Sequence, residues 1–504
     1  MGILIGLDHG GSTTTAVALG TGGEVLGRHS LSMARQVPQP GWVEHDPEDF
    51  VTTSLGAIDG VLAASGRRWG DVEAVGIANQ GETTIAWDSA TGRAVGPAIS
   101  WQDKRTTAYC EELVWTGHEE HVRQVTGLPI DPYFSASKIH WLITHSGAAQ
   151  HALARGTLRV GGTDAFLIAR LTREAIQATD VSTASRTALL NLTSLTWDEG
   201  VAGEVFEVPL EVLPELRPSM GGHFGGIDRG GVAPITADIV DAHASLFAQG
   251  CLTPEVVKVT YGTGAFIEAN VGPVPTVPSN GLLPFVAWQL DDDTSYSVEG
   301  GVFDVGAAVD WLVDMGLLPS AAASGAQASS ATEGSGVVVV PTFSGMAAPR
   351  WQPNARAAIL GMGLDTTPAD LVRGVLRGIA FSVAEIIDAI ADTTHVSTAE
   401  VRADGGPTGN AFLMQLQADL SGRPISVSQE PDLTAFGAAA MAGVGAGALT
   451  IADAMALAPP RRVYEPALAD DERVAQWNDW RRAVDAVADH AEPQPKPPIA
   501  GPLH

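Results

Sequence analysis

The chain is poor in cysteine, in positive charge and in long apolar runs. Only Cys110 and Cys251 occur in 504 residues, far apart in sequence. Two such thiols offer no metal-site spacing; they fit packing roles in a reducing, cytoplasmic compartment. Lysine and arginine number 29 against 58 acidic residues, a net charge of −29. No basic face remains to neutralise a phosphate backbone, so nucleic acid is excluded as a partner and the charge serves solubility. The opening residues, Met1–Leu7, lack the basic start of a signal peptide and run straight into Asp8. One uncharged run, 433–451, has the length of a membrane span but is mostly Ala and Gly. It reads as a close-packed buried helix, and no membrane partner is expected.

What is present describes an ordinary globular protein. Hydrophobic content is 45% and mean hydropathy +0.11. The length calls for at least two domains, each with its own core.

The chain is organised around residues 3–15, ILIGLDHGGSTTT. An apolar run of strand length ends in Asp8, then in Gly10, Gly11, Ser12, Thr13 and Thr14. Glycines let a backbone approach phosphate closely, hydroxyls add donors, and a carboxylate can hold Mg²⁺. The same pattern also suits a plain hairpin turn. Residues 256–266, VVKVTYGTGAF, repeat the logic half a chain later with Gly262, Thr263 and Gly264. A weak internal duplication follows: two similar α/β domains, each offering one phosphate turn to a shared cleft, with a boundary near Gly250.

Between these turns, Asp46-Pro47 opens a helix with an N-cap and proline at N1. Val72–Ala78 is a strand ending in the polar run Asn79–Thr84, placed where open α/β sheets bind ligands. Trp101–Arg105 and Asp131–Phe134 set aromatics beside hydrogen-bonding groups, which suits a polyol or simply a core. Ala233–Ile239 leads into a helix at Asp241, a carboxylate that is either a cap or a catalytic group. In the second half, 300–317 reads as helical, with Gly301 and Gly306 on it. Residues 320–336 are low-complexity, a mobile helix or surface loop. Thr367-Pro368 opens a long helix. Asp404–Asn410, DGGPTGN, is a third glycine-rich strand-to-helix turn, a ready anion site. The proline-rich tail, 492–504, is expected to be disordered.

The order and spacing of several stretches resemble one family, the FGGY carbohydrate kinases, and within it the glycerol kinases. They are PGWVEHDP (40–47), Asn79–Thr84, Trp101-Gln102 with Arg105-Thr106, IDPYFS (130–135) and ASRT (184–187). TYGTG (260–264), DGG (404–406) and TAFGAA (434–439) continue the series. The resemblance covers nearly the whole chain. It implies an α/β fold of two ribonuclease-H-like (actin-like ATPase) domains with a cleft between them, 1–249 and 250–491. It also implies ATP-dependent phosphorylation of a small polyol or sugar, with ATP and Mg²⁺. Relatives of this kind often form homodimers, but no interface is legible here.

Residue by residue, the resemblance makes Asp8 the carboxylate that serves Mg²⁺ and places Gly11, Ser12 and Thr13 at the ATP phosphates. Thr263, Gly306, Gly406 and Asn410 match nucleotide positions of the second domain. Asp241 matches the catalytic aspartate, and Glu82, Trp101, Tyr133 and Phe266 match the polyol pocket. There are departures. Gly81 stands where glycerol kinases carry arginine, and Ala242 where they carry glutamine. Losing both hydrogen bonds weakens glycerol binding by about two to three powers of ten. Each replacement also frees volume, so a longer polyol such as a tetritol, or a related sugar, is expected. Thr15 replaces an arginine by the phosphates and Asp310 a glutamine by the adenine. The glycine-rich loop of the family's fructose-bisphosphate control is only partly present at 227–231. The competing readings are a true glycerol kinase with an altered pocket and a non-enzymatic ATP- and polyol-binding sensor.

Overall fold

The computed structural model describes residues 2–491 except 333; the tail expected to be disordered lies outside the described residues. Two twisted mixed sheets carry the fold. The first is built from β1 (Ile3–His9), β2 (Thr13–Gly20), β3 (Val25–Ser32), β4 (Val72–Asn79), β5 (Gly226–Asp228) and β6 (Val232–Val240). Its order is β5-β6-β4-β1-β2-β3. β1 is buried on both faces, which is why it reads as one apolar run rather than an alternation. Ile3, Ile5 and Leu7 pack with Ala57, Ile58 and Val61 of helix α1 (Pro47–Ser65). As expected, Asp46 caps that helix, accepting from Glu48 N–H.

The opposite face is covered from far away in sequence. Helix α7 (Leu433–Gly445) lies on β1, β4 and β6. It comes so close that a Cβ on Gly6 would sit 1.8 Å from Ala435 O, and one on Gly76 2.0 Å from Ala438 O. This contact explains both the strand glycines and the Ala/Gly content of 433–445, a buried helix as the sequence suggests. Among the described residues no helix is long and apolar enough to cross a membrane.

The second sheet repeats the plan. It uses β7 (Val256–Tyr261), β8 (Ala265–Gly272), β9 (Leu283–Leu290), β10 (Asp293–Val302), β11 (Glu400–Asp404), β12 (Ile425–Ser428) and β13 (Arg461–Tyr464). Its order is β9-β10-β8-β7-β11-β12-β13. In the first sheet β1–β3 form an antiparallel meander, in the second β7, β8, β10 and β9 run antiparallel, and in both the first strand also pairs with a parallel strand and is joined to the second by the glycine turn. Val257, Val259 and Tyr261 face the long helix α5 (Pro368–Thr394), which Thr367 and Asp370 open with a reciprocal capping box. Between β6 and β7 the chain runs through α3 (Asp241–Ala248) and the left-handed Gly250 turn.

One expectation fails here. Residues 300–317 are not one helix: Gly300 and Gly301 end β10, and helix α4 (Gly306–Asp314) begins only at Gly306. Gly300 is a tight strand position, because a Cβ there would meet Ile386 of α5 at 2.6 Å. The low-complexity stretch forms a short helix, Ser324–Ser329, docked by Ser324 onto Asn410.

Candidate active site

The parallel strands of the first sheet end level. Asp8 is opposite Ala78, His9 opposite Asn79, and Asn79 opposite Val240. That edge therefore presents Asp8, the Asn79–Thr84 turn and Asp241 together. Asp241 is the first residue of α3, and its Oδ1 accepts from Ala242 N–H at 2.6 Å. Burial pushes its carboxyl up to about 6, against the opposing pull of Arg186 and of the Ala242 N–H. An ordinary aspartate lies near ~4. Asp8 is pushed up to about 8 by burial, then by Asp241 and Asp432. Its carboxyl makes no hydrogen bond or ion pair among the described residues.

Three glycine turns stand at strand ends, one on the first sheet and two on the second. In the first sheet, Gly10 N–H donates to Thr13 O at 3.1 Å, closing the β1–β2 hairpin. Gly11 and Thr13 stay half-buried and Ser12 exposed, so the stretch forms the hairpin and leaves its turn open to solvent. Thr15 lies further along β2, its hydroxyl 2.9 Å from Ser30 across the hairpin. In the second sheet, Gly262 N–H donates to Gly264 O at 2.7 Å, and Val305 and Ala307 N–H donate to Thr263 O at 2.9 and 3.2 Å. Gly306 packs there so tightly that a Cβ would lie 2.7 Å from Gly262 O. Gly405 has φ +94°, and a Cβ on it would lie 1.9 Å from Tyr261 O. Gly406, by contrast, opens into free space. Thr263, Gly306 and Gly406 are thereby brought together. Asn410 caps helix α6 (Ala411–Ser421), accepting from Phe412 and Leu413 N–H. Asp310 is exposed on α4.

The residues expected to line a polyol pocket come from the insertion between β4 and β6 and from β8. Trp101 meets Tyr133 edge-on, ring centroids 5.9 Å apart. Buried Lys138 donates to the carbonyls of Glu82 (3.2 Å), Tyr133 and Phe134, tying the two loops together. Burial lowers its ammonium to about 8, with Glu82 and Asp103 opposing. The Tyr133 hydroxyl is raised by burial, then by Glu82 and Glu299, with Asp241 adding to it; these groups share one neighbourhood. Phe266 is half-buried on β8, opposite Gly301 of β10.

Arg186 changes the reading of the departures. Its guanidinium donates to Glu82 at 3.0 Å and to Glu299 at 2.5 Å, and lies 4.0 Å over the Phe285 ring. A Cβ on Gly81 would meet Arg186 Cδ at 2.7 Å. The volume expected to be free beside Gly81 is therefore filled, by a side chain 105 positions downstream. Ala242 remains small and half-buried. The roles of Arg186, Glu299 and Lys138 were not legible beforehand; their one signal was charge inside otherwise buried segments.

The match to known proteins follows this geometry over the full length. Residues 3–228 match the N-terminal domain model of the FGGY family of carbohydrate kinases and residues 257–446 its C-terminal domain model. The chain belongs to the FGGY family of carbohydrate kinases. It is 39% identical over 486 residues to a glycerol kinase of Halorhodospira halophila, covering 95% of this chain and 96% of the relative. It is 40% identical over 489 residues to one of Thermus brockianus, covering 96% and 98%. The Plasmodium falciparum glycerol kinase structure with ADP superposes with a TM-score of 0.91 at 29% identity, covering 97% of this chain and 98% of that one. A xylulose kinase of Lactobacillus acidophilus shares the fold at 20% identity with a TM-score of 0.84, covering 97% and 99%. The FGGY fold is thus two actin-like ATPase domains, and the chain is a glycerol-kinase-like carbohydrate kinase.

Proposed function

We propose that this FGGY kinase transfers the γ-phosphoryl group of ATP to a primary hydroxyl of a small polyol, with glycerol the first acceptor to test. The observation that carries the reading is Asp241: a half-buried carboxyl heading a helix, level with Asp8 on the same sheet edge and beside Glu82 and Tyr133. With its pKa near 6 it is ionised at neutral pH and can accept a hydrogen bond from the attacking hydroxyl. The transition state of phosphoryl transfer is loose, so the proton leaves late and alignment is the larger contribution. N–H groups of Gly11–Thr13, Thr263 and Gly406 would meet the phosphates, where backbone dipoles offset developing charge.

The donor set fits Mg²⁺. Asp8 has a carboxyl raised by burial and then by two acidic neighbours, and oxygen ligands suit that ion. No ready-made cluster of three ligating side chains occurs among the described residues. Asp8 would hold the ion together with phosphate oxygens and water, and the ion would supply charge neutralisation on the phosphates. Thr15 and Asp310 would modulate nucleotide preference.

A second reading, a tetritol or related sugar as acceptor, is favoured by Ala242 alone, since Arg186 occupies the space beside Gly81. ADP release measured across glycerol, erythritol, threitol, pentitols and ketoses decides between them. Asp241→Ala is expected to abolish transfer while leaving ATP affinity within about twofold, because the base touches the acceptor rather than the nucleotide. A wild-type chain inert toward every acceptor, or an active Asp241→Ala variant, overturns the proposal.

A further inference from the structure

Behind the acceptor pocket runs a row of buried charges that this reading leaves unused. Lys258 on β7 is the register partner of Glu268 on β8, and Glu268 is the partner of Glu299 on β10. Register partners share one face of a sheet, and like charges set directly opposite repel. Glu268 is fully buried, and its Oε1 makes no hydrogen bond. Two cations hold the row together. Lys258 Nζ donates to Glu268 Oε2 at 3.0 Å, and Arg186 lies 3.8 Å from Glu268 Oε1 while donating to Glu299.

Each cation has its other contact at the site. Arg186 donates to Glu82. Lys258 donates at 3.0 Å to the carbonyl of Ala242, the residue after Asp241. Burial would lower the Lys258 ammonium, but Glu268 and Asp404 hold it above its ordinary value. Arg186 belongs to the first-sheet half of the chain, and Lys258, Glu268 and Glu299 to the second. Buried ion pairs kept for stability alone can be exchanged for apolar side chains with little loss; here both pairs end on groups that meet the acceptor.

We propose that Glu268 is a positioning residue, holding Arg186 on Glu82 and Lys258 on the first turn of α3, so that one carboxylate of the second sheet sets both ends of the acceptor site. The inference rests on the kinase reading above. Glu268→Gln tests it, because the amide keeps an acceptor for Lys258 and removes only the charge. The assay uses full-length chain with Mg-ATP and the wild type's best acceptor from the same panel, glycerol first. The acceptor KM is expected to rise about tenfold, the size of one weakened charge-assisted contact. KM for ATP stays within about twofold, a split that a merely structural role would not produce. In an Arg186→Lys background the same change adds at most about threefold, since the contact it acts through is already altered.

Unchanged kinetics in Glu268→Gln, equal shifts in both KM values, or additive effects with Arg186→Lys overturn the inference alone. A wild type inert toward the whole panel overturns the kinase reading and this inference with it. Should Glu268→Gln not fold, Lys258→Met with Glu268→Leu removes the pair whole, and the same acceptor-specific loss is expected.

Discussion

The two parts of the proposed site are built by opposite means. The proposed nucleotide side is backbone: Gly264, Gly306 and Gly405 approach neighbouring chain so closely that even a methyl group does not fit. The acceptor side is side chain: Glu82, Arg186, Glu299, Glu268 and Lys258 interlock as charges, almost free of solvent. A backbone cradle is rigid and indifferent to pH, and it presents N–H groups that suit any phosphate. A charge lattice is selective, because each member's position depends on the others, and removing one strands its partners in a medium of low dielectric. The first design suits a cosubstrate shared by many kinases. The second suits an acceptor that must be told from its neighbours.

The contrast breaks first at Gly405. Gly405→Ala forces a left-handed φ on alanine and drives its Cβ against the Tyr261 carbonyl, which is backbone and cannot step aside. Strain of this kind costs roughly 3 kcal/mol or more, so a large fall in melting temperature or loss of soluble protein is expected. If the variant melts like wild type, the turn is not the rigid element described here. Arg186→Met comes next. It leaves Glu82, Glu299 and Glu268 facing one another without their shared cation, an effect of about 3–5 kcal/mol for a buried pair broken on one side. Denaturant unfolding measures it; a loss under about 1 kcal/mol would mean that the carboxylates already have other partners.

Gly81→Ala sharpens the comparison at smaller cost. Its new Cβ meets Arg186 Cδ, the middle of a flexible side chain rather than backbone. The arginine can yield, but only by shifting on Glu82. The acceptor KM is therefore expected to rise about five- to tenfold with the ATP KM unchanged. By the same contact, an arginine at position 81 would collide with Arg186, so restoring the family residue there should impair acceptor binding instead of improving it. A gain in glycerol turnover from Gly81→Arg would show that Arg186 moves away freely.

The same division explains what the sequence made legible. A turn that needs glycine announces itself in its own residues, even where the backbone that crowds it comes from far along the chain, as Tyr261 does for Gly405. Residues 8–13, 260–264 and 404–410 were therefore readable as glycine turns at strand ends, and the repeated strand-turn pattern led to two matching sheets. Helix starts at Asp46-Pro47 and Thr367-Pro368 were readable for the same local reason. The acceptor floor was not. Arg186 reaches Glu82 across 104 positions and Glu299 across 113, and no periodicity or propensity encodes such a meeting. Reading Gly81 by itself therefore predicted a void where the fold supplies a side chain. The split at 300–317 was missed because small residues in a strand crowded by Ile386 look, in sequence, like the start of a helix.

Asp241 stands where the two constructions meet, and pH reads it. A carboxyl buried to a pKa of about 6 is ionised above that value and protonated below it, so the ability to accept the hydroxyl proton is lost as pH falls through 6. The kcat/KM for the acceptor reports groups of the free enzyme. Asp241 makes it drop about fourfold between pH 7 and pH 5.5, where about a quarter of the carboxyl remains ionised. An ordinary aspartate, with a pKa of about 4, would leave the profile flat to pH 5. A flat acid side would mean that bound water, or Arg186 close at hand, offsets the burial, and that the charge lattice extends its influence to the base itself.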